Sequence, residues 1–254
     1  MSGLMNSLPA ASAAFLLLYA RIGTIMMLLP LFGEDAVPTR IRLLLGLGTT
    51  AGLWALLSAR VLPVADNSAA LPGVLIAELL TGLAIGMTVK IMFQAAAMAG
   101  SIISFQIGLS SALINDPAQG GQVPLLSKFI SAAATLVCLA AGVHHLWIAA
   151  MVQSYALFPV GLLPPAPGFA QLAIAVTGKA MALSLSLAAP MIVYGIVLNT
   201  ALGMSVRLAP AIQVFFIAQP LTIMLGLSIF ATILGPLLIA FSSAMASWLQ
   251  TTWT

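Results

Sequence analysis

The 254 residues are 62% hydrophobic and 5% charged, with eight Lys and Arg against five Asp and Glu, and the mean hydropathy is +1.17. A soluble domain carries about 25% charged residues because its surface faces water, so this composition excludes that class and specifies an all-α integral membrane protein. No run of basic side chains suits a nucleic acid or an anionic lipid patch, and the single cysteine, Cys138, excludes a disulfide framework or a cysteine zinc cluster.

No positive side chain precedes Arg21, so the first apolar stretch is expected to stay in the mature protein rather than leave as a signal peptide. Spanning a bilayer takes about 20 apolar residues in a helix. Two candidates cover residues 9–31 and 41–62. The link between them holds Glu34, Asp35, Arg40 and Arg42 and reads as a water-facing turn. A second break at 63–72 contains Asp66, Asn67 and Ser68. The next apolar segment, from Leu71 toward Ile107, exceeds one membrane thickness, and Gly100 and Ser101 offer a place to bend.

A polar interval follows at 106–124, then an apolar stretch at 125–151 with His144 and His145 near its end. Cys138 sits in an apolar run there and is expected to pack as a small hydrophobe. The interval 159–168 holds four prolines and forms a turn region. Helical segments at 169–198 and 211–249 complete the chain, the last interrupted by Pro220 and Pro236. The expected organisation is one membrane domain over 1–254 with six spans, five or seven being the alternatives. The few positive charges give no orientation by the positive-inside rule.

Arg21 lies near the middle of the first segment and Lys179 well inside the fifth. A mid-helix charge costs about 2.5–3.5 kcal/mol on the insertion scale, while each Leu, Ile, Phe or Val returns only about 0.3–0.6 kcal/mol. Those charged faces should therefore not rest against lipid. One reading is that both charges pack or snorkel, neutralised by carbonyls or a neighbouring subunit. The sharper reading puts one of them on a proton or ion path, but Glu78 is the only acidic residue inside an apolar segment.

Glu78, Gly82, Gly86 and Lys90 recur at steps of four and form one helical stripe. The Gly82-xxx-Gly86 spacing permits close approach of another helix, within the chain or from another subunit. Such a spacing also arises without meaning in apolar segments. His144 and His145, adjacent on a helix, point about 100° apart and lack the i,i+4 geometry of a ligand pair. A structural role suits them better than metal binding, and no cofactor is implied. Neither a nucleophile elbow nor a phosphate-binding loop is present, so nothing argues for catalysis.

The interval 106–124 admits two readings. Non-helical backbone at membrane depth is tolerated only where protein buries it or water lines it. Gln106, Asn115, Asp116, Gln119 and Gln122, with Gly108, Ser110, Pro117, Gly120 and Gly121, suit a mobile loop at a pore. An ordinary surface loop fits the same composition.

In order along the chain, Arg21, Pro30-Leu-Phe-Gly33, Val37-Pro-Thr-Arg40 and Glu78-Leu-Leu-Thr-Gly82 with Gly86 are followed by Gly100, Gln106-Ile-Gly-Leu109 and Asp116-Pro117. Gly142-Val-His144, Ser154, Pro159-Val-Gly161, Pro190, Asn199, Leu202-Gly203, Arg207, Pro210, Phe215, Pro220 and Gly226 continue the series. This pattern resembles the export-gate family that comprises flagellar FliR and its counterparts in virulence type III secretion. It departs at Gln213, where the family commonly has Asn, and around Ala218 and Gln219, where a glycine is often found.

The resemblance implies a subunit built of bent helical hairpins, several of them broken, lifted partly out of the bilayer. Such a subunit forms a hetero-oligomeric gate with FliP-like and FliQ-like subunits and contacts an FlhB-like switch protein. Unfolded export substrates pass through the gate in the bacterial inner membrane at the flagellar basal body. It also implies that 106–124 belongs to the pore plug, and that Arg21, Glu78, Gly82, Gly86, Lys90, Lys179 and Arg207 are buried charges or contact positions. The alternatives are a virulence gate subunit, an autonomous secondary transporter, and an intramembrane enzyme using His144, His145 and Ser154.

Overall fold

A computed structural model describes residues 2–30, 37–67, 69–109, 112–116, 121–163, 166–208 and 214–253. Seven helices and one short hairpin follow in the order α1 (Ser2–Leu28), α2 (Thr39–Ala65), α3 (Leu71–Ile107), β1 (Leu113–Asp116), β2 (Gly121–Pro124), α4 (Leu125–Ala140), α5 (Val143–Leu157), α6 (Ala166–Leu208) and α7 (Val214–Trp253). Five helices are long and apolar enough to cross a membrane, or six spans when the broken pair α4–α5 is taken as one. The molecule is thus an all-helical membrane protein whose only described strands are β1 and β2.

The expected segment borders shift where backbone chemistry outweighs hydropathy. Residues 125–151 do not form one helix. The chain breaks at Gly142, which takes φ +75°, and its amide donates to the Leu139 carbonyl at 3.1 Å. Glycine alone adopts that conformation without strain. Conversely, α3 continues through Gly100 and Ser101, and α7 continues through Pro220 and Pro236. Prolines are tolerated in apolar helices because neighbouring groups re-satisfy the freed carbonyls. The first link's acidic residues, Glu34 and Asp35, and segment 209–213 lie outside the described residues.

Two compact units make up the chain. The first contains residues 1–92, 144–177 and 248–254, the second 93–143 and 178–247. In the first unit α1 supplies the core stripe Ala14, Leu17, Leu18, Arg21, Ile22 and Ile25, continued by Leu29 just past its end, all buried, with the three-and-four spacing of a helix packed on one side. Against it α2 brings Gly46 to the Tyr19 ring and Trp54 to Phe15, ring centroids 5.9 Å apart. In the second unit the buried face of α4 runs through Leu126, Ser127, Ile130, Ala134 and Cys138. Phe93 of α3 meets Phe241 of α7 edge to face at 5.1 Å, the arrangement aromatic quadrupoles favour.

Candidate functional site

Arg21 is fully buried in the first unit, where an unpaired guanidinium would be prohibitively costly. Each side of the fork has partners. Nε lies 2.7 Å from Glu78 Oε2, an ion pair too bent to count as a linear hydrogen bond, while Nη2 donates to Glu78 Oε1 at 2.8 Å. Nη1 donates to the carbonyls of Ser154 at 3.2 Å and Phe158 at 2.9 Å. Ser154 lies in the last turn of α5 and Phe158 just past its end, where carbonyls and the negative end of the helix dipole attract a cation. The guanidinium carbon also stands 4.2 Å from the Tyr155 ring centroid, within cation–π range.

Glu78 closes the knot from the other side. Its Oε1 accepts the Gly161 amide at 3.1 Å, and Gly161 presents that amide from φ +83°. Two charges on α1 and α3 therefore pin the end of α5 and the turn after it. Sequence reasoning located Arg21 through its insertion cost and Glu78 as the only acidic residue inside an apolar segment. It passed over Tyr155, noted Gly161 only within the family pattern, and noted Ser154 there and as a candidate of the enzyme alternative.

The glycine stripe explains how α3 approaches α1. A Cβ on Gly82 would fall 2.7 Å from the Arg21 carbonyl oxygen and 3.0 Å from Thr24 Cβ. On Gly86 it would fall 2.7 Å from Leu28 Cδ1. The Gly82-xxx-Gly86 seam therefore seats α3 on α1 within one chain. Lys90, Lys179 and Arg207 lie on exposed faces, so in this chain burial applies to Arg21 and Glu78 and not to those three.

In the second unit α3 ends in a glycine cap. Gly108 takes φ +85°, the Leu109 amide donates to Ser104 O at 2.9 Å, and the Gly108 amide donates to Phe105 O at 3.2 Å. This 6→1 and 5→2 pair is the Schellman closure. The chain then forms the antiparallel hairpin, with Leu113 opposite Pro124, Ile114 opposite Val123, Asn115 opposite Gln122 and Asp116 opposite Gly121. Leu125 N donates to Ala112 O at 3.0 Å, so the ends of the hairpin meet at its base. Ser110, Pro117 and Gly120 lie outside the described residues. Much of an interval expected as loop is therefore a strand pair, which satisfies its own backbone groups.

The helices around the base of the hairpin are fitted by small residues. A Cβ on Gly100 would fall 2.5 Å from Ser127 Cα, and Ser127 Oγ donates to Ala97 O at 2.8 Å. A Cβ on Gly226 of α7 would fall 3.0 Å from Ile107, and a Cβ on Gly195 of α6 would overlap the Gln106 carboxamide. Tyr194 ties α6 to α7 by donating to Thr222 O at 2.6 Å. An open cleft of about 660 Å³ remains beside Gln106 and Gly108, lined also by Asn199, Leu202, Gln219 and Thr222. Gly195 went unnoticed in the sequence, because an isolated glycine carries no signal of what approaches it.

His144 and His145 stack with ring centroids 4.0 Å apart. Ser154 lies about 14 Å farther along the same helix at 1.5 Å per residue, and its hydroxyl donates to Met151 O at 2.7 Å. Among the described residues no three His, Cys, Asp or Glu side chains cluster as a metal site.

Comparison with known proteins identifies the family. Residues 12–248 match the family described as bacterial export proteins, family 1. The flagellar biosynthetic protein FliR of Caulobacter vibrioides is 37% identical over 229 residues, covering 89% of this chain and 91% of that protein. FliR of Escherichia coli is 34% identical over 86% of this chain and 82% of its own length. FliR of Bacillus subtilis is 32% identical over 86% and 85%, respectively. On matches this extensive, the chain belongs to the bacterial export proteins, family 1.

Proposed function

We propose that the chain is a core, non-enzymatic pore subunit of the flagellar type III protein export gate, seated in the bacterial inner membrane at the flagellar basal body. The supporting observation is the match over nearly the whole chain to relatives named as flagellar biosynthetic proteins, which favours the flagellar over the virulence system. In this reading the chain assembles with FliP-like and FliQ-like subunits, contacts an FlhB-like switch protein and passes unfolded substrates. The hairpin and its flanks, including Gln106, Gly108, Ser110, Asn115, Asp116, Pro117, Gly120 and Gly121, form the plug of the closed pore.

Element lengths and faces support assembly over solitary life in lipid. At 1.5 Å per residue, the 43 residues of α6 and the 40 of α7 span about twice a hydrocarbon core of ~30 Å. Their outward faces are apolar, with Val197 64% and Met224 68% exposed, and α6 carries the exposed cations Lys179 and Arg207. Lys90, Lys179 and Arg207 are assigned to contacts with acidic or carbonyl groups of neighbouring subunits.

The test is purification of the tagged chain from its native membrane in mild detergent, with mass spectrometry of what accompanies it. Recovery of FliP-like and FliQ-like chains in a stable complex is the expected result. Recovery as a lone, monodisperse protein that transports a solute in liposomes would favour the autonomous transporter instead.

A further inference from the structure

The cleft beside the end of α3 is lined by polar, uncharged side chains among apolar ones. Gln106, Asn199 and Gln219 contribute three carboxamides and Thr222 a hydroxyl, between the apolar side chains of Phe105 and Leu202. Among the described residues, none that lines it is ionisable. A carboxamide both donates and accepts hydrogen bonds, the same pair of functions that each peptide unit presents.

An anionic or cationic ligand would find no counter-charge here. An acyl chain would cover the carboxamides without pairing them, which is unfavourable for any polar group it takes out of water. A peptide main chain suits the lining, because its amides and carbonyls match the carboxamides whatever its side chains, and Phe105 and Leu202 accommodate apolar residues.

Gln106 is the fixed member of the set. Its carboxamide packs against Gly195, where any Cβ would displace it. Gly108, which also lines the cleft, closes α3 with φ +85° ahead of the hairpin. Asn199 and Gln219 are exposed and available from outside.

We propose that this cleft is a sequence-independent binding site for an extended peptide, engaging the main chain of an export substrate as it passes the hairpin, with Gly195 as the residue that positions Gln106. The inference rests on the pore-subunit reading given above.

Photo-crosslinking tests it in cells carrying the assembled gate. A benzophenone amino acid replaces Asn199 or Gln219, and an export substrate fused to a stably folded domain is used to stall transit. Leu113 in β1 serves as the pore control, and Ile239, 66% exposed on α7, as the outward-facing control. The expected result is crosslinking of the stalled substrate from 199, 219 and 113 but not from 239. Adding Gly195→Ala should lower the yield from 199 about two- to tenfold, the worth of one hydrogen bond, with the gate still assembled.

Substrate captured from 113, but only lipid or another gate subunit captured from 199 and 219, would overturn the cleft and leave the pore reading intact. No substrate captured from any of the three positions, in an assembled gate, would overturn both. An unchanged yield in Gly195→Ala would remove Gly195 from its positioning role.

Discussion

At the scale of single residues, the Arg21–Glu78 pair illustrates how an apolar protein accommodates charge. The pair is fully buried, and its remaining donors and acceptors go to the end of α5 and to Gly161. Removing one partner strands the other. Glu78→Ala or Arg21→Ala should therefore cost about 3–5 kcal/mol, read as a lower melting temperature of the detergent-purified chain. Arg21→Leu with Glu78→Leu should be less damaging than either single alanine, because no uncompensated charge remains. A double variant as unstable as the sum of the singles would mean that each charge acts independently. The insertion cost made Arg21 conspicuous in the sequence, and Glu78 stood out as the only acidic residue inside an apolar segment. Their pairing was not legible, because they stand 57 positions apart on different helices and nothing in either helix names its neighbour.

Helix contacts depend on where side chains are absent. Gly82 faces the backbone of α1 at Arg21, and the backbone has little freedom to move aside, whereas a Cβ on Gly48 of α2 would meet no atom within 4 Å. Gly82→Ala should destabilise by about 1–3 kcal/mol, the usual cost of overpacking. Gly48→Ala should be neutral or stabilising by up to about 1 kcal/mol through helix propensity. Melting both variants in the same detergent checks the pair, and equal effects would contradict the close α1–α3 approach. The spacing Gly82-xxx-Gly86 announced such a contact, but the identity of the partner helix came only from the fold. Element existence was readable from hydropathy. The break at Gly142 and the continuity through Gly100, Pro220 and Pro236 were not, since a helix interior in an apolar setting is decided by neighbours that re-satisfy or crowd its backbone.

For the whole molecule, the pore reading turns on the hairpin as a closure that can be removed without dismantling its support. The ladder from Leu113↔Pro124 to Asp116↔Gly121 is internally paired, and the Leu125–Ala112 hydrogen bond brings its two ends together. Excising residues 113–124 therefore leaves neighbouring ends that can rejoin with little rearrangement. The flanking helices keep their own fastenings, Ser127 to Ala97 and Tyr194 to Thr222. The excision variant should co-purify with the same gate subunits as the intact chain. If the hairpin plugs a pore, the membrane should at the same time become permeable to small solutes, measured by entry of a membrane-impermeant dye or by collapse of an ion gradient. A variant that assembles normally and leaks no more than the parent would locate the barrier elsewhere. Leakage accompanied by loss of the complex would show instead that the hairpin holds subunits together, because its removal would then have undone a contact rather than opened a passage.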